Sequence, residues 1–231
     1  MDTGYEVATH QPMIKVVQKM FKPLSVLEIG IGLFSTPLFL NKKSSYLGIE
    51  NNGIWIDKVK SKYPKANIIK HDLLRIGVKM STPYERLTPV QRVKICEYYT
   101  HLEIPDETPR LLFVDGYRTT RRYAIDILKH NFDFIIYHDC EKKGYLHNRY
   151  GKIDKKGFTS YYLISPLTWT CLLIKDELDP GLSKLCEMIA PFAIEFMKTW
   201  KDCIGLRVIT EEEYQNYNHA RGFENMFTIE K

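Results

Sequence analysis

The run Ser25-Val26-Leu27-Glu28-Ile29-Gly30-Ile31-Gly32 constrains this chain more than any other segment. Apolar residues flank one acid and lead straight into two glycines separated by a single position. A short apolar run that ends in glycine reads as a buried parallel strand turning into a helix. Residues 46–50 form a second such run, after the turn Lys42-Lys43-Ser44-Ser45, and lead into a helical stretch at 54–63 that Pro64 stops. Residues 67–72 form a third. The runs 111–115 and 132–139 then flank a helix-like segment at 119–130. Strands that alternate with helices predict an α/β fold with a mainly parallel sheet covered on both faces.

Two segments interrupt the alternation, 74–109, with a helix expected at 90–101, and the Lys/Tyr/Gly-rich 141–157. Both read as insertions near the carboxyl edge of the sheet. Residues 161–164 and 169–174, joined through Ser165-Pro166-Leu167, read as a closing antiparallel hairpin. A long helix follows at about 181–200, with Leu185, Ile189, Phe192, Phe196 and Trp200 as an apolar stripe, read as core or as a contact in a homodimer. The expected organisation of the 231 residues is one domain, with its core at about 10–175 and a helical appendage at 180–231.

With 44% hydrophobic and 26% charged residues, neither a disordered nor a fibrous chain is indicated. No apolar run approaches the ~18 residues that span a bilayer, and the first residues lack the pattern of a secretory signal, so a cytoplasmic protein is expected. The five cysteines, Cys96, Cys140, Cys171, Cys186 and Cys203, are odd in number and contain no C-x-x-C pair, which argues against a disulfide framework or a zinc site. A formal net charge of +5 is a mild bias toward an anionic substrate or partner.

In open α/β sheets ligands lie beyond the carboxyl ends of the strands, and small residues there let backbone approach the ligand. Gly30 and Gly32 stand at that place, and Glu28 beside them suits the ammonium of a bound amino acid. A nicotinamide turn prefers G-x-G-x-x-G, and here Ser35 stands where the third glycine would. Glu50 closes the second strand 18 positions after Gly32, where a carboxylate can accept both hydroxyls of a ribose. Asp72 and Leu73 end the third strand and suit an adenine edge and ring face. Ser35, Thr36 and Asn51, next to these positions, and Asp115, at the end of the fourth strand, complete the candidate cofactor contacts.

Through E-x-G-x-G (Glu28, Gly30, Gly32), Y-L-G-I-E (Glu50), H-D-L-L (Asp72) and F-V-D-G (Asp115), the chain resembles the class I S-adenosylmethionine-dependent methyltransferases over roughly residues 10–175. Gly32 to Pro37, Phe113 to Gly116 and Tyr-His-Asp-Cys at 137–140 look most like small-molecule and sugar O-methyltransferases. The resemblance implies a Rossmann-like three-layer α/β/α sandwich, whose mostly parallel sheet has seven strands and an antiparallel last strand. It also implies S-adenosylmethionine as cofactor. Phe34 stands where many members carry a third glycine.

Asp115 and the pair His138-Asp139 end the fourth and fifth strands and are the candidate catalytic residues. In the metal-dependent O-methyltransferases that the chain resembles, acids at these two strand ends hold a magnesium or calcium ion, which implies Asp115 and Asp139 as metal ligands. Metal-free catalysis with His138 or Asp139 as general base is equally open.

Arg118, Arg121 and Arg122, then Lys142, Lys143, Arg149, Lys152, Lys155 and Lys156, interleave with Tyr145, Tyr150 and Phe158 as a patch suited to an anion. The D-P-P-Y and N-P-P-Y motifs of base-flipping amino-methyltransferases are absent, so a small anionic acceptor is preferred over nucleic acid. The rival functions are a NAD(P)-dependent oxidoreductase, from the same glycine turn and ribose acid, and a cofactor- or nucleic-acid-binding module without catalysis. His10, in Ala8-Thr9-His10-Gln11-Pro12, reads as a helix-start turn that borders the cofactor at most.

Overall fold

The computed structural model describes residues 8–40, 43–79, 82, 86–141, 153–166, 168–200 and 205–216. Of the expected basic patch, Lys142, Lys143, Tyr145, Arg149, Tyr150 and Lys152 lie outside the described residues, as does Cys203.

The first helix, α1 (Gln11–Phe21), carries Pro12 in its first turn, where a missing amide hydrogen costs nothing, and stops at Lys22 in a left-handed conformation. Strand β1 (Ser25–Ile29) follows, then the glycine turn, the short helix α2 (Thr36–Phe39) and β2 (Ser45–Glu50). Helix α3 (Gly53–Lys62) is capped by Asn52, whose side chain accepts from the amides of Ile54 and Trp55. Then come β3 (Ile68–Lys70), α4 (Pro89–Thr100), which begins at a capping box of Thr88 and Gln91, and β4 (Arg110–Val114). Helix α5 (Arg121–Leu128) leads to β5 (Phe134–His138), and β6 (Phe158–Ile164) and β7 (Thr170–Lys175) form the expected hairpin. Helix α6 (Leu182–Thr199), β8 (Arg207–Thr210) and α7 (Glu211–Asn216) close the described chain.

The sheet order is β3-β2-β1-β4-β5-β7-β6-β8. Strands β1 to β5 pair in parallel, and β7 runs antiparallel to both β5 and β6. This is the Rossmann-like α/β sandwich, with one correction to the expected seven strands. Residues Arg207–Thr210 add an eighth, antiparallel to β6, inside the stretch expected to be a helical appendage. The physical reason is the edge that β6 would otherwise expose, a row of unpaired backbone groups that a further strand covers.

Side chains alternate across the sheet and build two cores. Val26, Leu111, Phe113, Phe134 and Ile136 meet α1, α3 and α6 on one face, through Met13, Val17, Val59, Leu185 and Ile189. Leu27, Ile29, Leu112, Val114 and Ile135 meet α4 and α5 on the other, through Ile95, Tyr99, Ala124 and Leu128. Burial on both faces explains why the central strands read as continuous apolar runs. Glu28 and Glu50 share alternation with Val26 and Tyr46, so both acids belong to the α1 face of the sheet. Among the described residues no helix is long and apolar enough to cross a membrane.

Candidate active site

The carboxyl ends of β2, β1, β4 and β5 lie side by side, and their loops build the site. At the end of β1, Gly30 has φ +87, and a Cβ there would fall 2.2 Å from the Cα of Gly116. The loops after β1 and β4 therefore touch backbone to backbone. Asp115 N donates to Ile29 O across β1 and β4, and Gly30 N donates to Ile49 O of β2, both at 2.8 Å. A Cβ on Gly32 would sit 2.8 Å from Ser35 Oγ, which is drawn inward here.

The cause of that inward turn is Glu28, which is fully buried. Ser35 Oγ donates to its Oε1 at 2.5 Å, while Thr36 Oγ1 and Tyr46 OH donate to its Oε2 at 2.7 and 2.5 Å. Thr36 Oγ1 also accepts from Gly32 N at 3.0 Å, so acid, hydroxyls and turn form one network. Burial pushes the Glu28 carboxyl up to about 7, against the opposing pull of the three hydroxyls. Both oxygens of Glu28, expected to face an ammonium, are thus engaged by the chain itself, as are Ser35 and Thr36. Their visible role is to shape the glycine turn.

Glu50 ends β2 and is buried; its Oε1 accepts from the amides of Asn51 and Asn52 at 2.8 and 2.9 Å. Burial raises its pKa, and the two amides oppose the rise. Asp72 is exposed and caps a single helical turn, Leu73–Ile76, by accepting from Arg75 N; Lys70 Nζ lies 3.7 Å from its other oxygen. Leu73 is buried in the core beside Leu47 and Ile49. Between Asp72 and the sheet, His71 stacks flat on Tyr98 with ring centroids 3.5 Å apart. Burial lowers its pKa to about 4.

The fourth and fifth strand ends carry the densest charge. Arg121, the first residue of α5, is buried and fans across both. Its Nη2 donates to Asp115 Oδ1 at 2.8 Å, its Nη1 to Asp139 Oδ2 at 2.9 Å, and its Nε to Gly116 O at 2.8 Å. Asp139 itself adopts φ 58, a left-handed conformation that few non-glycine residues take. The family resemblance implied magnesium or calcium between Asp115 and Asp139; the Arg121 guanidinium bridges these two carboxylates at 2.8 and 2.9 Å. Arg121 thereby leaves the expected anion patch. Arg122 pairs with Asp126 and Lys155 with Glu211, whereas Arg118 and Lys156 are exposed.

His138 lies among these acids, with Nδ1 3.4 Å from Asp115 Oδ1 and 3.6 Å from Asp139 Oδ1. Its Nε2 is 2.9 Å from Thr9 Oγ1 and 2.7 Å from Thr168 Oγ1. Burial works to lower the His138 pKa, but Asp115 and Asp139 outweigh it and the net direction is upward. Burial likewise raises the Asp115 carboxyl, and His138 and Arg121 overcome it to leave a net lowering.

His10 packs edge-on against His138, with centroids 4.8 Å apart, and 5.1 Å from Phe113. Burial, with His138 beside it, lowers its pKa to about 3. Thr9, His10, Arg121 and Thr168 are therefore site residues that the sequence reading did not bring together. The only sequence signal was the placement of Thr9-His10 just before a Pro-started helix. Thr9 meets His138 and Thr168 from 129 and 159 positions away, a distance that leaves no local pattern.

No family model matches the chain, and no curated protein matches its sequence. Among solved structures it is similar to a TehB-like SAM-dependent methyltransferase from Corynebacterium glutamicum, with 13% identity, a TM-score of 0.44, and coverage of 71% of this chain and 88% of that one. It is also similar to the N-methyltransferase NodS from Bradyrhizobium japonicum, with 10% identity, a TM-score of 0.45, and coverage of 75% and 98%. An RNA methyltransferase from Salinibacter ruber, solved with S-adenosyl-L-homocysteine, gives 10% identity, a TM-score of 0.38, and coverage of 74% and 96%.

Proposed function

We propose that this chain is an enzyme that transfers a methyl group from S-adenosylmethionine to an oxygen of a small anionic acceptor. One observation carries the reading: a glycine turn too tight for any Cβ stands beside the Glu50 carboxylate at the next strand end. The backbone amides of Asn51 and Asn52 both point at Oε1 of Glu50, which fixes the carboxylate at the position where a ribose would present its hydroxyls. The residues that would hold the cofactor are Gly30, Gly32, Glu50 and Asn51, with Asp72 and Leu73 toward the adenine. When bound, S-adenosylmethionine supplies an electrophilic methyl group.

On the acceptor side, Asp115, His138 and Asp139 stand at neighbouring strand ends. Neutral His138 takes the acceptor hydroxyl's proton at Nδ1, and the two carboxylates stabilise the imidazolium that forms. Arg121 holds both carboxylates still, so the charge arrangement exists before the acceptor arrives. The exposed Arg118, on the loop after Asp115, supports an anionic acceptor, as does the net charge of +5.

Calorimetric titration with S-adenosylhomocysteine tests the reading. Binding near micromolar affinity is expected, and no heat at millimolar ligand overturns it. In turnover assays, Asp139→Asn should lower kcat by ~10²-fold, the scale of a lost acid–base contribution, with cofactor affinity within a few fold. The rate should rise with pH through the raised His138 pKa, because only neutral imidazole accepts a proton.

A further inference from the structure

We propose that His10, Asp115 and His138 form a binding site for one divalent first-row transition-metal ion, sharing Asp115 with the Asp115 and Asp139 pair that Arg121 bridges. One potential ligand atom from each of the three residues lies within 4.8 Å of the others. Bonds of about 2.1 Å to a tetrahedral ion place ligands about 3.4 Å apart, so side-chain shifts on the order of an ångström close the set.

His10 supplies the independent observation. It is 6% exposed, and both its ring nitrogens are buried with no hydrogen-bond partner. Buried polar groups almost always have partners, and an orphaned imidazole edge-on to a second imidazole and near a carboxylate is what an unmetallated ligand set looks like. Nothing in the cofactor reading uses His10.

The other two residues are already oriented as ligands. Thr9 and Thr168 hold Nε2 of His138, which turns Nδ1 toward Asp115, and a ligating imidazole is normally fixed through its other nitrogen in this way. Arg121 fixes Asp115 through Oδ1. Two imidazoles and one carboxylate select a first-row transition ion over magnesium or calcium, which favour shells of oxygen alone. Three protein ligands leave coordination positions open. With the ion bound, Nδ1 of His138 is a ligand and no longer a base; on the methyl-transfer reading, on which this last point rests, the ion takes over that part by holding the acceptor's oxygen and lowering its pKa.

Full-length protein, stripped with chelator and dialysed, is titrated with Co²⁺ and followed by visible absorption. The expected result is d–d bands that saturate at one equivalent and disappear on addition of Zn²⁺. His10→Phe fills the same space without a ligand atom and should weaken Co²⁺ by more than the ~10- to 100-fold that loss of an orienting group costs. His130→Ala, at an exposed histidine, should leave binding unchanged. Each variant's melting temperature is measured alongside; if His10→Phe does not fold, Asp115→Asn decides in its place. Absence of bands in the wild type, or wild-type affinity in the folded ligand variant, overturns the site. S-adenosylhomocysteine binding without Co²⁺ binding sinks only the metal site. Co²⁺ binding without S-adenosylhomocysteine binding supports the site and sinks the methyl-transfer reading.

Discussion

Glu28 illustrates how much one buried acid can set. Removed from water, its charged form is penalised, and three hydroxyls only partly compensate, so its carboxyl titrates near 7 in the folded chain instead of at 4.5. The folded state holds a proton between those values that the unfolded state has released. Its contribution to stability is therefore full below pH 4.5 and is lost as pH rises to about 7. Glu28→Gln has no such proton to lose. Across pH 4.5 to 7 the wild type should lose stability relative to the variant by a few kcal/mol at most, since one pKa unit corresponds to about 1.4 kcal/mol. Parallel melting-temperature curves for the two proteins would rule this out. The sequence placed this acid correctly at the glycine turn but could not reveal its partners. Tyr46 arrives from the next strand, 18 positions away, and only the parallel register of β1 and β2 brings its hydroxyl to Glu28. Arg121 is a similar case: its arginine-rich surroundings suggested an exposed patch, whereas Asp115 and Asp139 draw it inside.

At the scale of elements, β1, β2, β4 and β5 were legible because each is buried on both faces, whereas β3, an edge strand with Ile69 and Lys70 exposed, showed only as a short run between turns. The long helix was legible from its stripe. Strand β8 was not, because Arg207-Val208-Ile209-Thr210 is too short to establish a period and earns its place only by covering β6. Helix α3 matters more for the site than its single fully buried residue, Val59, suggests. Its cap, Asn52, accepts from Ile54 and Trp55 through its side chain while its own amide donates to Glu50. Helix start and ribose acid are thus one unit. Asn52→Ala should cost about 1 kcal/mol of stability and weaken S-adenosylhomocysteine by a few fold, as Glu50 loses a fixed neighbour. Asn52→Ser, which keeps a capping oxygen, should recover most of both in calorimetry and thermal melts. Recovery of stability without recovery of affinity would separate the cap from the acid.

The whole molecule distributes these tasks along the sheet. The glycine turn and Glu50 belong to β1 and β2 near one edge, whereas β8 lies at the other, with four strands between it and β1. A close-packed sheet transmits damage mainly through contacts, and sites that share no partners contribute nearly additively. Ile209 is buried in the core on the α5 face, in a strand separated from β1 by four others. Ile209→Ala should therefore cost ~2–5 kcal/mol, the usual range for a large core truncation, and lower the melting temperature by several degrees while S-adenosylhomocysteine affinity stays within twofold. Gly30→Ala should do the reverse in emphasis. Its new Cβ, 2.2 Å from Gly116 at a φ that side chains rarely adopt, pushes the β1 and β4 loops apart where the cofactor would lie. Affinity should fall at least tenfold even in protein that still melts cooperatively. If Ile209→Ala instead weakens the cofactor as much as Gly30→Ala does, the far edge is coupled to the turn and the sheet does not act as a rigid platform.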